Sequence, residues 1–336
     1  MNQLSSYEVA IIGAGFVGST LAKYLCSRYK VVTFDINPIP SLLEDTQNIE
    51  HRTCDISNYH EVEAKLGAPK VIVHTAIIQI PAINQQKDQA YQTNIIGTHN
   101  ICRLAQKQDS ISGLILCGSW HVFGEREYKA TVDAAFGYRP DKVEERARLY
   151  VISKMLQEGI VRFHNSMIDE KTYGIVRLGT VLGDKMPPKT AANIFITNGL
   201  QGKPITPYKH TMHRPMLYVA IDDICKAFQL YIEKIIKGRT PAEKSKGSIY
   251  NLFHPQPITI LELAQIIKES IINQTQGHLT PKIEIVDKKL PALFSPNEKE
   301  TLHVDIKRTR EFFGIEKLKS PETKINEIVR ARVTER

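Results

Sequence analysis

Tyr150 and Lys154 have the spacing Tyr-x-x-x-Lys, which places a phenol and an ammonium one helical turn apart on the same face. An ammonium beside a phenol favours the phenolate and lowers the tyrosine pKa. A base of that kind next to a nicotinamide drives hydride transfer at a carbinol carbon. Upstream lies Gly13-Ala14-Gly15-Phe16-Val17-Gly18, the spacing of a turn that holds a dinucleotide's pyrophosphate. Gly13 permits the tight turn, Gly15 lets backbone amides approach the phosphates, and Gly18 lets helix and strand pack closely, with Phe16 and Val17 completing the cradle. Neither motif is specific alone. In this order they point to an NAD-dependent enzyme.

Such a site needs a sheet to carry it, and the apolar runs supply one. Residues 8 to 12 read as a strand running into the glycine turn, followed by a helix carrying Leu21 and Leu25. Val31-Val32-Thr33-Phe34 is a second strand ending in Asp35, whose carboxylate can accept bonds from the adenosine ribose. The same charge repels a 2′-phosphate and no arginine follows to pair with one, so NAD is expected over NADP. Further strands are read at His51–Asp55, Val71–His74, Gly113–Cys117 and Gly174–Leu178, with helices over Ala90–Gln106, Tyr150–His164 and Ile260–Ile272. Alternating strands and amphipathic helices predict an α/β, doubly wound parallel sheet of Rossmann type. The rhythm loosens past Gly183, where prolines 187, 188, 204, 207 and 215 accumulate. Residues 1–183 are therefore read as the NAD-binding domain. Residues 184–336 are read mainly as a smaller substrate-binding region, with segments free to return to the sheet. The Lys-rich stretch Gly238 to Lys246 reads as an exposed loop.

Bulk composition narrows the function classes. Hydrophobic content of 42% and charged content of 24% are those of an ordinary globular protein. The net charge of +8 is scattered among acids, without a dense basic block interleaved with aromatics, which argues against nucleic-acid binding. Cys26, Cys54, Cys102, Cys117 and Cys225 are odd in number and contain no Cys-x-x-Cys, so neither a disulfide framework nor a zinc site is implied. Cys54 and Cys117 read as small core residues. No signal peptide or membrane-spanning run is read, and a cytoplasmic location is expected.

With these landmarks in order, the chain resembles the extended short-chain dehydrogenase/reductase family, the NAD-dependent epimerase/dehydratase group. The landmarks are Gly13-x-Gly15-x-x-Gly18, Asp35, Asp55-Ile56, Asn94-Ile95-Ile96-Gly97-Thr98, Ser119, Tyr150-x-x-x-Lys154 and Arg177. Gly202-Lys203-Pro204-Ile205, Arg214, Tyr250-Asn251-Leu252 and Asp305-Ile306-Lys307 follow. The family's usual Gly-x-x-Gly-x-x-Gly would begin at Ile12, so this chain has the tighter form. The resemblance implies that Asp55 and Ile56 contact the adenine, although a loop-capping aspartate is the competing reading of Asp55. It counts Thr75 and Ala76 with the cofactor-binding residues, and Asn94 as the asparagine supporting the active-site helix. It makes Ser119, Tyr150 and Lys154 catalytic: Tyr150 moves the hydroxyl proton, Ser119 steadies the substrate oxygen, and Lys154 binds the nicotinamide ribose and tunes Tyr150. It also implies a homodimer through the helices Asn94–Gln106 and Tyr150–His164.

The chain departs from the family on the substrate's side. Dehydratases of the group resemble one another in an Asp-Glu pair after the catalytic hydroxyl, where this chain has Trp120 and His121. Asn-Val-Tyr-Gly-Pro is replaced by Thr180-Val181-Leu182-Gly183-Asp184. The Gly-Asp-Gly before the late arginine gives way to Tyr208-Lys209-His210-Thr211-Met212-His213. Arg214 matches the diphosphate-binding arginine only if two residues are inserted before Asp222-Asp223. Trp120, His121, Thr180 and Arg214 are the candidate substrate residues. His121 reads either as an added acid/base or as a packed loop histidine, and Trp120 as pocket wall or core. No metal is expected at the histidines, because no acidic ligand accompanies them. The leading expectation is a sugar-nucleotide epimerase working through a transient ketone on NAD, with a nucleoside-diphosphate sugar as small-molecule partner. The alternatives are a dehydrogenase or reductase of a non-nucleotide alcohol or ketone and, further off, a non-catalytic dinucleotide sensor.

Overall fold

The computed structural model describes residues 7–167, 170–238 and 248–334. In chain order its first part runs β1 (Val9–Ile12), α1 (Phe16–Leu25), β2 (Val31–Asp35), β3 (Ile49–Thr53), α2 (Tyr59–Leu66) and β4 (Val71–His74). Then come α3 (Ala82–Gln85), α4 (Lys87–Tyr91), a π-helical turn (Gln92–Gly97), α5 (Thr98–Lys107), β5 (Gly113–Ser119), α6 (Arg148–Ser166) and β6 (Thr172–Leu178). The remainder is β7 (Thr180–Leu182), α7 (Ala191–Leu200), β8 (Pro215–Met216), β9 (Tyr218–Ala220), α8 (Ile221–Ile236), β10 (Ser248–Leu252), β11 (Ile258–Thr259), α9 (Ile260–Gln274), α10 (Lys307–Phe313) and α11 (Pro321–Thr334).

Seven strands form one parallel sheet in the order β10-β6-β5-β4-β1-β2-β3. Val9 pairs in register with Val31 on one side and with Val71 on the other. β1, β4, β5 and β6 are buried along their whole length, as strands covered on both faces must be. One face packs Ile12, Phe34, Ile72 and Leu116 against Ile101, Leu104 and Val161. β3, at the sheet's edge, is blunted by charge: Arg52 pairs with Glu50 at 2.6 Å. Cys54 and Cys117 are buried as small core residues, and burial pushes both thiols up, Cys54 to about 11.

Two compact units divide the chain. The first comprises residues 1–122, 145–177 and 224–250, the second 123–144, 178–223 and 251–336. Beside the reading of 1–183 and 184–336, with later segments free to return to the sheet, the units change at 177/178, and most of α8 and β10 lie with the sheet. In the second unit β7 pairs with β9 and β8 with β11, while α9 starts from a capping box between Thr259 and Glu262. Arg332 of α11 ties down Asp184 at 2.9 Å and Asn193 at 2.9 Å. The Lys-rich stretch Gly238 to Lys246 lies, but for its first residue, outside the described residues. No described helix is long and apolar enough to cross a membrane.

Candidate active site

The glycine turn sits between β1 and α1, and each glycine answers to a different neighbour. Gly13 has φ +98°, and a Cβ there would lie 2.5 Å from the Ala76 amide nitrogen. A Cβ on Gly18 would lie 1.9 Å from the Gly13 carbonyl oxygen. Gly15 is exposed and has nothing within 4 Å of the same position. It stands at the N-terminus of α1, where no side chain caps the helix. The opening at Gly15 is the cradle a Cβ would fill, and it fits a pyrophosphate on the helix's amide end. Thr75 and Ala76 brace the turn from the end of β4: Thr75 Oγ1 donates to the Gly13 carbonyl at 2.8 Å, and both amides donate to the Ile12 carbonyl at 2.8 Å. Phe16 and Val17 open α1 beside it.

Asp35 ends β2 with one carboxylate oxygen accepting from the Ala14 amide at 2.8 Å and the other from the Asn37 amide at 3.0 Å. The carboxylate is thereby fixed against the glycine turn. Asp55 caps its own loop, accepting from the Ser57 amide at 2.9 Å and hydroxyl at 2.8 Å. Ile56 is buried beneath, its carbonyl held by Asn100 at 3.0 Å.

Ser119 is the last residue of β5, and Tyr150 and Lys154 sit one turn apart near the start of α6. Ser119 hydrogen-bonds the Tyr150 phenol, but burial outweighs that bond and raises the phenol to about 12. The lowering expected from Lys154 is not what the geometry supplies. Lys154 is buried, and its ammonium donates to the Cys117 carbonyl at 2.7 Å. Burial lowers its own pKa, with Cys117 and Glu158 opposing. The lysine therefore ties α6 to β5.

A buried polar network lies under this pair. Asn94, in the π-helical turn, accepts from the Ile78 amide at 2.7 Å and donates to the Ile78 carbonyl at 3.0 Å and to Ser153 Oγ at 2.9 Å. Thr98 Oγ1 bonds His74 Nε2 at 2.8 Å and accepts from Gln157 at 2.9 Å. Arg177 and Glu158 form a fully enclosed ion pair at 2.9 Å. His74, Ser153, Gln157 and Glu158 were not read from the sequence. Their signal was there: polar residues at the end of an apolar strand and on the buried face of a helix.

The candidate substrate residues divide between the units. Trp120 and His121 follow Ser119 in the first. Trp120 is fully buried, which makes it core, and its ring lies 4.3 Å from that of His121. Thr180 and Arg214 belong to the second unit. Thr180 donates its amide to the Leu217 carbonyl at 2.7 Å. Arg214 is buried between two carboxylates, hydrogen-bonded to Glu125 and to Glu144, the latter at 2.8 Å. Burial alone would lower the arginine's pKa, and the two glutamates more than reverse it, so it stays charged. Burial raises the Glu125 pKa against the pull of Arg214. Sequence reading missed both glutamates, which lie far upstream of the arginine they hold.

The pattern of the NAD dependent epimerase/dehydratase family matches residues 9–252. The chain belongs to this family. NAD is its cofactor, and the extended short-chain dehydrogenase/reductase resemblance stands. Among family relatives, UDP-glucuronate 4-epimerase 1 of Arabidopsis thaliana is 25% identical over 73% of this chain and 54% of its own length. UDP-glucuronic acid decarboxylase 1 of Danio rerio is 26% identical over 81% of this chain and 62% of its own. The chain thus spans between about half and three-fifths of these curated relatives. In fold it is similar to the UDP-glucose 4-epimerase of Thermotoga maritima, with a TM-score of 0.77 and 19% identity over 98% of this chain and 100% of that one. It is also similar to the UDP-glucuronic acid 4-epimerase of Bacillus cereus, with a TM-score of 0.75 and 19% identity over 98% and 99%.

Proposed function

We propose that this family member is a sugar-nucleotide epimerase acting on a UDP-sugar through a transient ketone. The observation that carries the reading is the grouping, within one unit, of Ser119, Tyr150 and Lys154 at the carboxyl end of β5 and the start of α6. The glycine turn opens at the carboxyl end of β1 in the same parallel sheet. The handle is taken from the relatives, whose names place UDP-glucuronate on them.

Gly13, Gly15 and Gly18 would hold the pyrophosphate of NAD, and Asp35 its ribose. When bound in oxidised form, NAD supplies the hydride acceptor and a positive charge that favours the ionised form of Tyr150. Tyr150 takes the proton from the sugar hydroxyl as the carbinol hydrogen leaves, and gives it back when the hydrogen returns to the other face. Ser119 donates to the oxygen while it is a carbonyl. Lys154 fixes the helix register on which Tyr150 depends. Elimination of water is not part of the proposal, because the places of the dehydratase Asp-Glu pair hold a core tryptophan and a histidine. A homodimer through α5 and α6 completes the proposal.

One observation favours a second reading, a dehydrogenase or reductase of a non-nucleotide alcohol or ketone. Arg214, the residue matched to diphosphate binding, is already neutralised by Glu125 and Glu144. Thermal stabilisation of the NAD-loaded protein by UDP, GDP, CDP and dTDP separates the two. A ligand binding only the folded form adds about 2.7 kcal/mol at a hundredfold excess over its dissociation constant. A shift with UDP alone is expected. Silence from all four, with NAD itself stabilising, overturns the sugar-nucleotide reading in favour of the second.

A further inference from the structure

His121 stands where the group's dehydratases resemble one another in a glutamate, and its surroundings are specific. Its Nδ1 lies 3.3 Å from Ser119 Oγ, the same hydroxyl that bonds the Tyr150 phenol. Its backbone amide reaches that oxygen at 3.4 Å. The imidazole meets the Tyr150 ring edge-on, with centroids 5.9 Å apart and planes at 86°. The buried indole of Trp120 lies against it, with centroids 4.3 Å apart and planes tilted by 39°, and a 3-10 turn over Trp120–Phe123 carries both residues. Ser119 is buried, while His121 is only half-buried, so the imidazole links the enclosed hydroxyl to solvent.

A serine hydroxyl has one proton to donate and two lone pairs to offer. Set between a phenol and an imidazole, it turns its one proton from the substrate oxygen to Nδ1 when Tyr150 is protonated, and gives it to Tyr150 when the phenolate is present. Changing from one arrangement to the other moves a proton along the chain. The groups on the inner side of the site are committed elsewhere. Lys154 donates to the Cys117 carbonyl, and Asn94 is held at both ends of its amide. His74 is fully buried, and burial holds its pKa down to about 3, with Lys154 adding to the fall, so it takes no proton near neutrality.

We propose that His121 is the outer station of a proton relay running from Tyr150 through Ser119, by which the tyrosine exchanges its proton with solvent while substrate stays bound. The inference rests on the reading of Tyr150 as the proton acceptor. The transfer balances without a further reagent. The phenol O–H proton passes to Ser119 Oγ as the serine O–H proton passes to His121 Nδ1, and the imidazolium then releases its Nε2 proton to water. The imidazole is left with hydrogen on Nδ1, and exchange with water through the imidazolium, a proton taken at Nε2 and one given up from Nδ1, restores the Nε2–H form, so the net change is one proton passed from Tyr150 to solvent. No electrons move along the relay, because the C–H bonding pair leaves with the hydride. A reaction that returns hydride to the same molecule leaves this relay idle. One that releases a ketone must export one proton per turnover, so the relay equips the site for net oxidation as well as epimerisation. His121 acts through Ser119 and touches no reacting atom, which makes it a positioning residue with a proton to pass.

The test needs no substrate. Long-range proton–nitrogen NMR on the NAD-loaded, histidine-labelled protein reports the tautomer and titration of each ring, and His121→Gln assigns the signal. The relay requires Nδ1 as acceptor and hydrogen on Nε2 at neutral pH. It further requires the His121 titration to move by about half a pH unit in both Ser119→Ala and Tyr150→Phe, since coupled sites titrate together. A hydrogen on Nδ1, or a titration indifferent to Tyr150→Phe, overturns the proposal. A histidine that merely packs against Trp120 does not respond to removal of a phenolic oxygen. Nucleotides that fail to stabilise the protein would sink the epimerase reading and leave these signals unchanged.

Discussion

An alanine methyl at Gly18 would stand 1.9 Å from the Gly13 carbonyl oxygen, whereas one at Gly15 would meet nothing within 4 Å. Backbone cannot give way as a side-chain tip can, so Gly18→Ala should lose several kcal/mol of stability in urea, of the order seen for overpacked sites. Gly15→Ala should unfold within about 0.5 kcal/mol of the parent yet bind NAD at least tenfold more weakly in a fluorescence titration. Equal losses of stability in the two variants would contradict the assignment of Gly15 as the phosphate approach. At this scale the sequence was legible where spacing alone decides geometry. The glycine turn, Asp35, Ser119 and the Tyr150–Lys154 pair all fall in one unit, as their order implied. What surrounds a side chain was not legible. Burial lifts the Tyr150 phenol to about 12, and Lys154 is turned to a carbonyl. Two glutamates enclose Arg214, and no local pattern around the arginine announces them.

Among the elements, strands were readable from their apolar runs, with ends differing by a few residues, as at β3 and β5. The expected single helix over Ala90–Gln106 is instead α4, a π-helical turn and α5. That turn is pinned by Asn94 bonds to Ile78 and Ser153, contacts from remote segments to which hydrophobic periodicity is blind. β4 ends in His74, bonded to Thr98 across to α5, and this placement has a pH signature. The unfolded chain takes up a proton near pH 6.5 that the folded chain refuses until about pH 3, because burial and then Lys154 disfavour the charged ring. Stability is therefore full above pH 6.5 and declines as pH falls, by up to about 1.4 kcal/mol per pH unit. His164, lowered by burial and by His99, works in the same direction. Urea midpoints at pH 7 and pH 5 should fall steeply in the parent and less steeply in His74→Asn. The same slope in both would refute the account.

For the whole molecule, the outward face of α6 carries Leu156 at 45% exposed, Phe163 at 67% and Met167 just beyond its end at 56%. Gly159 lies among them with open space at its Cβ position. Such an apolar stripe suits a helix-to-helix contact with a second copy, so Phe163→Glu should convert dimer to monomer in sedimentation without lowering the NAD affinity. A parent protein that sediments as monomer would end the dimer proposal. The expected parallel sheet is present, and the sequence left open which later segments return to it, since an apolar segment does not announce which sheet it will join. β10 completes the sheet beside β6 after the chain has built much of the second unit. On the ribosome, β10 emerges roughly seventy residues behind β6, a delay of about 4–14 s at ordinary synthesis rates of 5–20 residues per second. Through that interval the nascent chain presents the bare edge of a strand destined for full burial, the kind of edge that recruits other strands. Translation pauses between residues 178 and 248 would lengthen that exposure, and a chain released near Gly183 would keep it for good.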